Sequence, residues 1–209
     1  MLAISIIRSE HQAIAAVLHG LLFLVDQIKE RGAKPDFELF GAMIYYIDAF
    51  PERFHHPKED MYLFRALRVR HPESSMLLDQ LQSEHAIGAQ KIRLLEQRML
   101  HYQQGRAKGL EQFAEAVKDY ADFHWSHMRA EETRVLPLAE KWLTSEDWAA
   151  IDAAFTDHKD ALLGIEANKE YALLFRRIVH LAPSPIGVGP PMEIPATKTT
   201  SGGSIDGHI

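Results

Sequence analysis

Histidine and glutamate recur in this chain in two matching units. Ser9-Glu10-His11 is followed, 44 residues on from His11, by His55 and then Glu59. Ser83-Glu84-His85 is followed, 42 residues on from His85, by His127 and then Glu131. In both units an acidic residue comes directly after the second glutamate, Asp60 in one and Glu132 in the other. Such repetition means one structural unit used twice. His and Glu four apart share one helix face, about 5–6 Å apart at Cβ, so each pair can serve one cluster. Imidazole offers a nitrogen ligand, and a carboxylate can bridge two cations and offset their charge. A set of nitrogen and oxygen donors without sulfur suits iron, manganese or zinc. His11, His55, Glu59, His85, His127 and Glu131 therefore point to a two-metal site.

Each of these residues has a plainer explanation when taken singly. A histidine on an apolar stripe is commonly a core or boundary residue, and an exposed His-x-x-x-Glu is commonly a surface pair. Here all six fall on inward positions with no Lys or Arg on the same stripes, and an unpaired buried carboxylate is costly. A metal is the expected counter-charge.

The helices that must carry these residues are legible from periodicity. Ile4, Ile7, His11, Ile14, Leu18, Leu21, Val25 and Ile28 advance in steps of three and four, a first helix ending near Gly32. A second is expected after Pro35, with Pro35 in its first turn and with Phe40, Ile44, Ile47, His55, Glu59 and Tyr62 inward. Pro51 and Pro57 lie inside it and should kink or unwind it beside the ligands. A third helix from near Pro72 places His85 on the stripe Leu78, Leu81, His85, Gly88, Ile92, Leu95, Met99 and Tyr102. After the turn 105–109, a fourth carries Leu110, Phe113, Val117, Tyr120, His124, His127, Glu131 and Leu138, with Pro137 expected to distort its last turns. Thr144 or Ser145 then caps a further helix. One or two helices run to about His180, with a break near Gly164, before a Pro-, Gly- and Ser-rich tail.

The fold expected is all-α: an up-down-up-down four-helix bundle over 1–143, a helical extension over 144–182 packed on it, and an extended or disordered tail over 183–209. The chain has 209 residues, 46% of them hydrophobic and 25% charged, which can fill such a core. A net charge of −6 argues against a nucleic-acid partner. With no cysteine, disulfides, thiolate metal sites and cysteine nucleophiles are excluded. The first residues do not read as a signal peptide, no membrane span is expected, and a cytoplasmic location is the default.

The residues SEH, FHHPKEDMYLF, SEHAIG and HMRAEETRVLPLA, spread over about residues 5–143, resemble the bacterial hemerythrin-like (HHE cation-binding) proteins. The resemblance implies a four-helix bundle holding two iron ions as an oxo- or hydroxo-bridged di-iron centre. It puts His11 and His55 on one iron, His85 and His127 on the other, and Glu59 and Glu131 between them. The oxygen-carrying members have a further histidine one turn after the first on the third helix, where this chain has Ala89. His56, which has Met128 as its counterpart in the second unit, is the expected substitute; His124, one turn before His127, is the alternative. Asp60 and Glu132 are expected either to be solvated or to support a ligand from behind; Glu10 and Glu84 could orient ligand histidines, with a solvated surface role favoured for them. The function expected is binding or sensing of O2 or a related small oxidant such as NO or peroxide. A peroxide- or NO-reactive di-iron enzyme and an iron storage or delivery protein are the alternatives. Tyr62 and Tyr120 are read as core filler rather than redox relays, and the C-terminal helices as a cap or a homodimer face.

Overall fold

A computed structural model describes residues 1–157 and 167–195. Among these the chain is all-helical, with no strand. Helix α1 spans Leu2–Arg31 and ends on Gly32, whose φ of 65° lets its N–H reach back to the carbonyls of Gln27 and Ile28. Helix α2 runs over 37–70. It is capped by Asp36, whose carboxylate accepts the Leu39 N–H at 3.0 Å. Pro35 thus lies just outside the helix rather than in its first turn. Helix α3 spans Ser75–Gln103 after a short 3₁₀ turn, Pro72–Ser74. A turn with Gly105 and Lys108 at positive φ leads into α4, residues 109–142. Helix α5 is Ser145–Thr156, started by a capping box between Thr144 and Asp147. Helix α6 is Ala167–Leu181. The break expected near Gly164 lies outside the described residues.

Helices α1 to α4 pack in a closed square, each against the next and α4 against α1. Short connections between long amphipathic helices give this up-down-up-down arrangement. Two apolar cores fill the square. One holds Ile14, Leu18, Leu21, Phe40, Ile44, Ile47, Ile92, Leu95, Phe113 and Val117. The other holds Ile4, Ile7, Leu63, Phe64, Leu67, Leu78, Leu81, Val135 and Leu136, and is closed by Trp148, Ile151 and Phe155 of α5. Helix α6 lies on α2, its Tyr171 meeting Tyr46, Phe50 and Phe54 with ring centroids 5.1–6.4 Å apart. Part of the expected tail is described too. Residues 183–195 contain no helix but fold back on the bundle, with the Lys34 N–H donating to Glu193 O at 2.8 Å and the Val188 N–H to Val179 O at 2.9 Å.

By length and mean hydropathy α1 is apolar enough to cross a membrane, a property that the core helix of a bundle shares. Half of its most apolar window is buried in the bundle, and its inward stripe runs through both cores, which accounts for its composition.

Candidate metal centre

Between the two apolar cores lies a layer of buried polar residues: His11, His55, His56, Glu59, His85, His124, His127 and Glu131, each at most 6% exposed. The backbone is irregular where the two helices present them. In α2, Pro51–His55 and Glu59–Phe64 are π-helical, and in α4 so is Glu131–Val135. The His56 N–H donates to Pro51 O and the Leu136 N–H to Glu131 O, five residues back in both cases. The π turns beginning at Glu59 and Glu131 occupy equivalent places in the two units. Such single-turn bulges re-aim side chains without ending the helix. The kinks expected from the prolines thus take the form of π turns, and the one in α4 precedes Pro137 rather than following it. Pro51 also has no N–H for the carbonyl four residues back, that of Ile47; the Tyr120 hydroxyl donates to that oxygen at 3.2 Å. Tyr120, expected as filler, ties α4 to the irregular part of α2.

Four histidines are held in the same way, and the holding closes a ring. Glu10 of α1 accepts from His55 Nδ1 of α2 at 2.8 Å. Asp60 of α2 accepts from His85 Nδ1 of α3 at 3.1 Å. Glu84 of α3 accepts from His127 Nδ1 of α4 at 2.8 Å, and Glu132 of α4 accepts from His11 Nδ1 of α1 at 2.9 Å. Every helix contributes one histidine and one carboxylate to its neighbour. Of the roles left open for these four acids, holding a histidine is the one the contacts show, and the surface role favoured for Glu10 and Glu84 is corrected: each adjoins a core residue in sequence, and its reach across to the next helix depends on packing. The acid at the same place in both units was the signal available.

The ring determines which nitrogen faces inward. An ionised carboxylate only accepts, so each Nδ1 carries the hydrogen, and a neutral imidazole then has only a lone pair at Nε2. Yet the Nε2 atoms of His11 and His55 are 2.9 Å apart and those of His85 and His127 3.0 Å apart. Two lone pairs at that distance repel unless a proton or a metal ion shares them. The charge balance of the metal-free site agrees. Burial pulls His11 and His85 down, but Glu131 and Glu132 raise His11 on balance, and Asp60 and Glu131 push His85 up to about 9. His55, the partner of His11, is lowered, chiefly by burial.

Glu59 and Glu131 complete the cluster. Their four carboxylate oxygens are buried and have no hydrogen-bond partner. They approach Nε2 atoms, Glu131 at 3.1 Å from His127 and 3.3 Å from His11, Glu59 at 3.4 Å from His55, but not along hydrogen-bonding directions. Burial and the neighbouring Glu131 push Glu59 well above the usual carboxyl range. Burial acts on Glu131 in the same sense, but the imidazoles of His127, His11 and His85 outweigh it and hold Glu131 well below. Buried carboxylate oxygens that meet no donor and converge on imidazole lone pairs fit a cation between them.

Three overlapping groups have ligand atoms within 4.8 Å of one another: His11, His55, Glu59 and Glu131; Glu59, His85, His127 and Glu131; and His56, His85 and His127. All seven residues singled out in the sequence are thus brought together. His56 lies parallel to His85, ring centroids 4.0 Å apart, and burial with the neighbouring histidines holds it well below its usual range. His124 stands outside all three groups. Its ring packs on Tyr120 at 4.4 Å, its Nε2 has no hydrogen-bond partner, and burial lowers it to about 3.

A family model, that of the hemerythrin HHE cation binding domain, matches residues 2–139. Neither the comparison with curated proteins nor that with solved structures finds a match.

Proposed function

The chain belongs to the hemerythrin HHE cation-binding family, and on that premise we propose that its buried cluster holds two iron ions and meets O2 or a related small oxidant. The observation that supports this reading best is the sharing of Glu59 and Glu131 by two groups of buried histidines whose Nε2 atoms face inward. His11 and His55 would hold one ion, and His56, His85 and His127 the other, with the two glutamates between. Nitrogen and oxygen donors without sulfur suit iron. Bound iron would supply one-electron redox chemistry and a coordination position for a small ligand.

The chain's own residues set the conditions for that chemistry. The two apolar cores keep bulk water from the ligands on both sides along the bundle axis, which strengthens every electrostatic interaction inside. Glu10, Asp60, Glu84 and Glu132 hold the imidazole rings in one tautomer and raise their basicity. His56 follows directly on the π turn Pro51–His55, so its placement depends on irregular backbone. We read this as favouring a reactive or sensing centre over a stable carrier, because reversible binding needs a rigid pocket that excludes protons.

The test is anaerobic reduction of the iron-loaded chain followed by mixing with air-saturated buffer, NO or peroxide. We expect rapid consumption of O2 with loss of the ferrous state and no recovery under argon. Full recovery under argon would restore a carrier role. A ferrous centre inert to all three would refute an oxidant-directed function.

A further inference from the structure

We propose that the two metals are held unequally: the one on His11 and His55 exchanges through a cleft between α1 and α4, while the one on His56, His85 and His127 is retained. This rests on the two-metal reading above. The two units are offset by 72 positions at His55 and His127 and again at Glu59 and Glu131, and the same offset carries His56 onto Met128. The repeat is therefore broken at one ligand position. On one side His85 and His127 converge with the shared glutamates and with a third histidine, His56; on the other only His11 and His55 meet the glutamates. Met128 is buried, but its thioether is a soft donor poorly matched to an ion that nitrogen and oxygen ligands hold. It cannot replace the missing imidazole.

Access adds to this on the two-histidine side. A cleft of about 690 Å³ between α1 and α4 is lined by His11, Met128, Trp125 and Glu132. It reaches the two-histidine side. Glu132, which holds His11 Nδ1 at 2.9 Å, is itself 39% exposed. Water or a small chelator entering the cleft meets that hydrogen bond first, and His11 is the ligand released when it opens. The same cleft that admits a chelator admits a fresh ion.

The experiment loads the full chain anaerobically with ferrous iron and adds ferrozine, whose colour reads the iron released. We expect one iron in a fast phase and the second at least about tenfold slower, since loss of even an outer partner of a metal ligand costs about 10–100-fold in affinity. Met128→His supplies the missing imidazole and should remove the fast phase. Met128→Leu should leave both phases in place, and His56→Met should make both irons fast. Met128→His adds a ligand, so it keeps the test decisive should His56→Met fail to fold. Release of both irons in one phase, or a fast phase that survives Met128→His, overturns the inference while leaving the two-metal reading standing. A chain that takes up fewer than two irons before ferrozine is added overturns both.

Discussion

Replacing Glu59 by glutamine should move stability in opposite directions with and without metal. Glu59 is fully buried, both of its oxygens lack a hydrogen-bond partner, and it faces Glu131, which is also buried and also unpartnered. In the metal-free chain Glu59 must hold a proton or bury a second charge beside Glu131, at a cost of about 1–3 kcal/mol. A glutamine keeps the shape, cannot ionise, and offers an N–H₂ to an oxygen of Glu131. The metal-free variant should therefore gain about 1–3 kcal/mol, and since about 1 kcal/mol moves Tm by about 2–4 °C in a chain of this size, its Tm should rise by about 2–12 °C. The gain should also grow with pH. Glu59 is raised well above its usual range, so the folded chain keeps a proton that the unfolded chain releases, and stability falls as pH climbs toward the folded value. Glutamine removes that dependence. With metal present the sign reverses. Bound metal adds about 2.7 kcal/mol at a hundredfold excess over Kd, and loss of a shared ligand forfeits part of it. Thermal melts by circular dichroism, with chelator and with ferrous iron, read both effects. If Glu59→Gln lowers Tm in chelator as well, Glu59 is a satisfied structural residue and the argument from its unpaired oxygens fails.

Other expectations follow from the same geometry. Glu84→Ala removes the acceptor 2.8 Å from His127 Nδ1 and should weaken metal binding about 10–100-fold with little effect on metal-free helicity; competition titration against a chelator measures it. Tyr120→Phe removes the donor to Ile47 O and should cost about 1 kcal/mol. In a double-mutant cycle with Pro51→Ala, which restores a backbone donor for that carbonyl, most of the penalty should vanish; full additivity would disprove the link. Asp147 is held down to about 2, first by Arg70 and then by Thr144 at the α5 cap. Asp147→Asn should therefore cost about 1 kcal/mol at neutral pH. Because the folded value is depressed, that cost should be full above the ordinary carboxyl range and fade as pH falls toward about 2, as acid titration of the melt would reveal.

Periodicity made the bundle readable because one residue in three or four faces inward on each helix, and His11, His85, His127 and Glu131 kept that register. Six of the seven residues of the cluster were recoverable for the same reason; His56, off that stripe, came only from the resemblance, as a substitute for the histidine absent at Ala89. What periodicity does not carry is rotation and reach between helices. Glu10 and Glu84 sit one position before a core histidine, Asp60 and Glu132 one after a core glutamate, and only the angle between neighbouring helices decides that each meets a histidine of the next. The π turns were legible only as trouble near Pro51 and Pro57. The turn at Glu131 precedes the proline that hinted at it, and repeats the turn at Glu59, where no proline lies inside. The aromatic contact of Tyr171 with Tyr46, Phe50 and Phe54 joins segments far apart in sequence and left no local mark.

Metal content tests the account most directly. Chain reconstituted with ferrous iron under anaerobic conditions, freed of loose metal and measured by elemental analysis, should hold two irons. Glu131→Ala, which removes a ligand shared by both sides, should hold fewer than one. A wild-type chain that carries a single tightly bound zinc and takes up no iron would contradict the two-iron centre.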